Sequence, residues 1–212
     1  MSRSSAITLQ PGPDGLELRT PRDRPGRGVR ASLDGISATG HPIARLLRGC
    51  GGGPVVDATA GLGGDAGVVA ALGHEVLVIE RDPDLVRLLD EAHQRIRDPE
   101  VAGRITLLPG DALELLPRLA GSHGRPLAII LDPMFPPRRS RSALPPKPMQ
   151  ALRLLLEDRP EDPLDPLLEA AFAARPRRVL LKRPPEAPSI GQRTPTFSIE
   201  SKLVRWDAWE LG

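Results

Sequence analysis

The stretch Val55-Val56-Asp57-Ala58-Thr59-Ala60-Gly61-Leu62-Gly63-Gly64-Asp65 constrains this chain more than any other. Two β-branched residues lead into an acid. Small residues follow, then three glycines within four positions and an apolar helical pattern. That order predicts a strand, a glycine turn and a helix. Glycine is needed where the backbone turns sharply and approaches a nucleotide-type ligand, because a Cβ would clash there. The helix then opens with free N–H groups facing the ligand. A glycine turn with only a structural duty is the plainer alternative. Gly61-Leu62-Gly63-Gly64-Asp65-Ala66 also fits the dinucleotide fingerprint, so a nicotinamide enzyme stands as a competing expectation.

Strands and helices alternate from Val55 onward. Strands are predicted at Val55–Asp57, Glu75–Glu80, Arg104–Leu108, Leu127–Leu131 and Arg178–Lys182. Helices are predicted at Asp65–Leu72, from Pro83 to about Ile96, after Asp111, near Pro148–Leu156 and at Leu164–Ala174. Asp82 caps the second of these, with Pro83 in its first turn. The tail, Phe197–Lys202 and Leu203–Leu211, reads as two adjoining strands. The whole predicts a doubly wound, Rossmann-like α/β sheet, mostly parallel, closed by an antiparallel C-terminal hairpin. That ending favours the class I methyltransferase version of the fold over the dinucleotide version.

Ahead of this lie Ile7-Thr8-Leu9 and Leu16-Glu17-Leu18, two alternating runs joined by a turn-rich loop. Val29–Leu33 is a candidate third strand. Residues 1–35 are therefore expected to form a small basic β appendage, and residues 36–212 the main domain. Gly40–Arg48 suits a short helix.

No apolar run reaches about 18 residues, so no membrane helix is expected. The N-terminus lacks the apolar region of a signal peptide, and a soluble cytoplasmic protein is expected. Cys50 is the single cysteine, which excludes an internal disulfide and a cysteine-based zinc site.

The net charge of +2 is unevenly spread. Residues 55–132 carry seven Arg against thirteen acids. Residues 138–153 carry four Arg and Lys147 against no acid, and residues 175–193 carry five Arg and Lys182 against one. Residues 1–54 carry eight Arg against four acids. An acidic cofactor half flanked by basic segments favours a polyanionic substrate such as nucleic acid, although Arg-rich loops are also ordinary solvated surface. On the first reading Arg138, Arg139, Arg141, Lys147, Lys182 and Arg183 bind phosphates.

In an open α/β sheet, ligands bind outside the carboxyl ends of the strands. The acids fall there: Asp57, Glu80, Asp111 and Asp132. A carboxylate at Glu80 can accept hydrogen bonds from ribose hydroxyls. Asp111 suits an adenine amino group or, equally, a helix N-cap. Asp57 suits the cationic amino-acid end of S-adenosylmethionine.

Asp132-Pro133-Met134-Phe135-Pro136 is the second anchor. It resembles the acid-or-Asn, Pro, Pro, aromatic motif of methyltransferases that modify exocyclic amino groups of bases, with Met134 in place of the second proline. Such a nitrogen has its lone pair delocalised into the ring. A site that holds its N–H groups on the Asp132 carboxylate and the Pro133 carbonyl favours a tetrahedral nitrogen as the methyl arrives. Phe135 can stack on a flipped-out base. No metal and no covalent nucleophile are needed.

Asp57–Ala66, Glu80-Arg81-Asp82-Pro83, Leu131–Pro136, Ser142-Ala143-Leu144 and Lys182-Arg183-Pro184 occur in the order seen in the small-subunit ribosomal RNA guanine-N2 methyltransferase J family, which the chain resembles over roughly residues 55–190. The resemblance implies a class I fold, S-adenosylmethionine as donor and a guanosine N2 of ribosomal RNA, free or in the small subunit, as acceptor. It places cofactor contacts on Gly64, Asp65, Glu80, Arg81, Asp111, Ala112 and Asp132, beside the turn residues Asp57, Gly61 and Gly63. The chain departs at Gly64, where family members often have Arg, at Asp111-Ala112, which replaces a small polar pair, and in its shorter N-terminal region. Other expectations remain: a class I methyltransferase for another base, a protein or a small molecule, and a non-catalytic RNA-binding protein of the same fold.

Overall fold

A computed structural model describes residues 7–122, 124–135, 145–157, 163–188, 190 and 193–212. Among these, β1 (Thr8–Gly12) and β2 (Gly15–Arg19) form an antiparallel hairpin. The chain continues through α1 (Pro42–Leu46), β3 (Val55–Asp57), α2 (Gly64–Ala71), β4 (Val76–Glu80), α3 (Pro83–Gln94), α4 (Pro99–Gly103) and β5 (Ile105–Pro109). Then come α5 (Ala112–Ser122), β6 (Ala128–Leu131), α6 (Lys147–Leu156), α7 (Leu164–Ala173), β7 (Arg178–Arg183), β8 (Phe197–Glu200) and β9 (Arg205–Glu210).

β3 to β9 make one sheet in the order β5-β4-β3-β6-β7-β9-β8. β5, β4, β3, β6 and β7 run parallel, and β9 is antiparallel to both β7 and β8. The chain winds outward from β3 through β4 to β5, then returns to place β6 on the other side of β3. That reversal is a topological switch point, and it opens a crevice beyond the ends of β3 and β6.

The strands are apolar on both sides because both faces are covered. Alternate residues point to opposite faces. Val55, Val76, Val78, Ala128, Ile130 and Leu180 join the core containing Val68, Val69, Leu85, Leu88 and Leu89. Val56, Leu77, Ile79, Ile129, Leu131, Val179 and Leu181 join the core containing Leu116, Leu167, Leu168 and Phe172. α3 is fixed at its start by Asp82, whose Oδ1 accepts from the N–H of Asp84 at 3.0 Å and of Leu85 at 3.3 Å.

Two local expectations are corrected, and one element appears that the sequence did not announce. Val29–Leu33 is not a strand: Val29 makes a single bridge to Leu18, and the chain then turns away to pack on the glycine turn. There Ser32 N–H donates to the Leu62 carbonyl at 3.0 Å. The short α4 carries no buried residue, so it left no apolar period in the sequence; Asp98 caps it. The tail strands are shorter than their apolar pattern, because Ser201–Val204 forms the turn between them, with Ser201 N–H donating to Val204 O at 2.8 Å.

The N-terminal segment shares the main core: Ile7, Leu18, Val29, Ala31 and Leu33 are buried in the cluster that contains α2 and α3. Gly63 shows why this matters. Its φ is 82°, and a Cβ there would lie 2.7 Å from Leu33 Cδ2 and 2.8 Å from Leu89 Cδ2. The glycine turn is thus clamped between the N-terminal segment and α3. No helix among the described residues is long and apolar enough to cross a membrane.

Candidate active site

Glu80 ends β4 and reaches toward the glycine turn. Its Oε2 accepts from Gly61 N–H at 2.8 Å, and its Oε1 accepts from Arg81 N–H at 2.9 Å and Asp82 N–H at 2.8 Å. A carboxylate offers about four acceptor positions. Three are filled by backbone, which fixes the rotamer and leaves Oε2 open to a ribose hydroxyl. Burial raises the Glu80 pKa, and the backbone N–H groups oppose that shift. Glu80→Ala should weaken S-adenosylhomocysteine binding by about 10- to 150-fold, the loss of one charge-assisted hydrogen bond worth about 1.5–3 kcal/mol. Calorimetry reads this directly, and an unchanged Kd would remove the ribose role.

Asp57 ends β3 and is 2% exposed. Burial, then the charge of Asp65, pushes its carboxyl up to about 8. It lies under the turn, accepting from Thr59 N–H at 3.4 Å. Gly61 has φ 56°, and the nearest atom to an added Cβ would be 3.8 Å away; Gly64 has open space there. The turn therefore leaves room for a ligand against its backbone. Asp111 does cap a helix, with Oδ1 accepting from Leu113 N–H at 2.8 Å. Its Oδ2 is 3.6 Å from Arg81 Nη1, so these two side chains join the ends of β4 and β5. Ala112 is buried behind them.

Asp132 follows β6, directly across the switch point. Its N–H donates to Thr59 Oγ1 at 2.6 Å, tying the acidic turn to the glycine turn. Its Oδ2 is 2.8 Å from Lys182 Nζ, and the same ammonium is 3.0 Å from Asp65 Oδ2. Burial pushes the Asp132 carboxyl up, against the pull of Lys182. Burial also works against the charge on Lys182, but Asp132 and Asp65 outweigh it and raise its pKa. Pro133 is buried, and Met134 and Phe135 are half-buried just beyond. Since β4 and β6 run parallel on either side of β3, Glu80 at the end of β4 and Phe135 just after β6 lie toward the same edge of the sheet.

The phosphate-binding expectations fare differently. Arg138, Arg139 and Arg141 lie outside the described residues, as does Pro136. Lys182 is a correction: it is turned into the crevice between two carboxylates. Arg183 is a second correction. It is 5% exposed, its Nε lies 2.7 Å from Asp207 Oδ2, and its Nη1 donates to the Pro188 carbonyl at 2.6 Å. Lys147 is exposed but paired with Asp23 at 2.6 Å, and it also donates to the Arg27 carbonyl, so it joins α6 to the N-terminal segment.

Two residues near the site have no role assigned to them from the sequence. Thr59 is one small residue among several, and only its bond to Asp132 gives it a role. His41 caps α1, its Nδ1 accepting from Ile43 N–H at 3.3 Å. Burial lowers its pKa, with the charges of Asp65 and Lys182 pulling in opposite directions.

The strand order and the crevice at the switch point define a class I methyltransferase fold. Residues 36–210 match the family described as "Putative SAM-dependent methyltransferase". The chain is 36% identical to the ribosomal RNA small subunit methyltransferase J of Magnetococcus marinus, covering 97% of this chain and 85% of that one. It is 39% identical to the protein of that name from Pseudomonas paraeruginosa, covering 96% and 82%. The chain belongs to the ribosomal RNA small subunit methyltransferase J family, and it is an S-adenosylmethionine-dependent enzyme. A SAM-dependent methyltransferase of Neisseria gonorrhoeae superposes with a TM-score of 0.74 at 26% identity, covering 100% of this chain and 85% of that one. An rRNA methyltransferase of Streptomyces viridochromogenes shares the fold, with a TM-score of 0.50 at 14% identity over 79% of this chain and 81% of that one. The nicotinamide reading of the glycine turn is set aside.

Proposed function

We propose that this protein methylates the exocyclic N2 of a guanosine in small-subunit ribosomal RNA. The observation that carries the reading is the placement of Asp132-Pro133-Met134-Phe135 across the switch point from the glycine turn, joined to it through Thr59 and Lys182. The names of the relatives supply the ribosomal RNA. A cytoplasmic location goes with that substrate.

S-adenosylmethionine supplies an electrophilic methyl group on a sulfonium. The chain's residues do the rest. Glu80 takes a ribose hydroxyl, Asp111 and Ala112 border the adenine, and Gly61, Gly63, Gly64 and Asp65 shape the turn around the amino-acid end, with Asp57 beneath. Arg81 holds Asp111 in place. On the acceptor side, Asp132 and the Pro133 carbonyl accept the two N–H bonds of the base amino group, and Phe135 stacks on the base. Asp132 then receives the proton that the nitrogen loses and passes it to water. Positioning supplies much of the rate in such an in-line transfer. Arg138, Arg139 and Arg141 would bind phosphates, with an affinity that falls steeply with salt.

Purified protein, S-adenosylmethionine and small subunits from a strain lacking the gene should yield N2-methylguanosine at a single rRNA position, read by nucleoside mass spectrometry. Methylation of another base, or of none while cofactor binds, would overturn the acceptor assignment.

A further inference from the structure

We propose that Lys182 is a positioning residue that clamps the cofactor turn to the acceptor turn and holds the Asp132 carboxylate as an acceptor-only group, so that the site selects amino N–H donors over carbonyl edges. The inference rests on the acceptor reading above. Its basis is the geometry of one ammonium. Nζ lies 3.0 Å from Asp65 on α2 and 2.8 Å from Asp132 after β6, and 5.4 Å from the centre of the Trp206 ring on β9. Lys182 and Trp206 are direct cross-strand partners, so the ring backs the lysine stem and favours its charge. An ammonium has three donors. Two are committed to carboxylates on opposite sides of the crevice, and this sets the separation of the two turns.

The selectivity follows from the protonation state of Asp132. An ionised carboxylate only accepts hydrogen bonds, whereas a protonated one also donates. A site with a protonated Asp132 would accept the carbonyl edge of a base as readily as an amino edge. Among the described residues, the groups facing Asp132 are Lys182 on β7, Asp65 on α2 and Asp57 on β3, with His41 before α1 in range of Asp65 and Lys182. Lys182 is the cation among the named groups that touches Asp132. Burial and Asp65 push the carboxyl toward its neutral form, and Lys182 opposes them.

The test uses the full chain as Lys182→Met, Lys182→Arg and Asp65→Asn. Carbon-13 NMR of the carboxyl groups, with Asp132→Asn for assignment, follows Asp132 without RNA or cofactor. In Lys182→Met the midpoint should rise by about 1–3 units, the usual effect of one opposite charge at this range. It should stay near the wild-type value in Lys182→Arg and fall in Asp65→Asn. The acid limb of kcat/KM should move with each midpoint, because activity needs the ionised form and is lost as pH falls through it. If Lys182→Met fails to fold by circular dichroism, the Lys182→Arg and Asp65→Asn titrations decide. An unmoved midpoint in Lys182→Met, or in Asp65→Asn, overturns the clamp. So does an acid limb that stays in place while the midpoint moves. Midpoints that move as stated in a protein that methylates no guanosine N2 would overturn the acceptor reading while supporting the electrostatic clamp.

Discussion

Asp132→Ala is expected to lower the rate of methyl transfer by about 10²- to 10³-fold, the size of effect seen when one preorganised polar group is removed from the reacting centre. On the proposed mechanism the alanine removes the acceptor for the base N–H, and it leaves Lys182 with Asp65 of the two carboxylates. RNA affinity should be largely retained, since phosphate contacts dominate nucleic-acid binding and none is lost. Asp132→Asn should fall between the two, because an amide carbonyl still accepts one N–H bond while the charge is gone. Single-turnover methylation with cofactor in excess separates rate from binding. Near-normal turnover in the alanine variant would sink the active-site assignment.

Arg183→Met is expected to destabilise the fold without touching the chemistry. Arg183 and Asp207 are a buried pair at 2.7 Å, and removing one partner of such a pair costs about 3–5 kcal/mol. Asp207 keeps Arg205 at 3.2 Å and Ser198 Oγ at 2.6 Å, so the lower end, about 3 kcal/mol, is expected. For a chain of this length that lowers the Tm by about 6–12 °C. The salt dependence of RNA binding should be unchanged at temperatures where the variant is folded. A variant with normal Tm and weakened RNA binding would restore Arg183 to the phosphate-contacting set.

The glycine turn and the acids at the strand ends were legible because their cause is local. A run such as Val55-Val56-Asp57 followed by small residues and glycines allows few backbone paths, and Asp82-Pro83 marks a helix start from two residues alone. The basic residues after β6 and in β7 were not legible in the same way. Lys147, Lys182 and Arg183 look alike in the sequence as cations near a presumed substrate mouth. Their fates differ because their partners are distant: Asp23 for Lys147, Asp65 and Asp132 for Lys182, Asp207 for Arg183. Thr59 escaped notice for the same reason, its partner Asp132 lying 73 residues away.

From the sequence alone come the strand–glycine turn–helix, the order of strands and helices, and the acid–proline–aromatic turn. Each is set by contacts among neighbours along the chain. Tertiary structure alone decides which cations face the crevice. Lys182 and Arg183 are adjacent, and successive residues in a strand point to opposite faces. Pairing with β9 in one register then turns Lys182 beside Trp206 toward the two carboxylates and sets Arg183 diagonally against Asp207. A shift of one residue would exchange those surroundings, because side-chain direction alternates along the strand while the partners stay fixed.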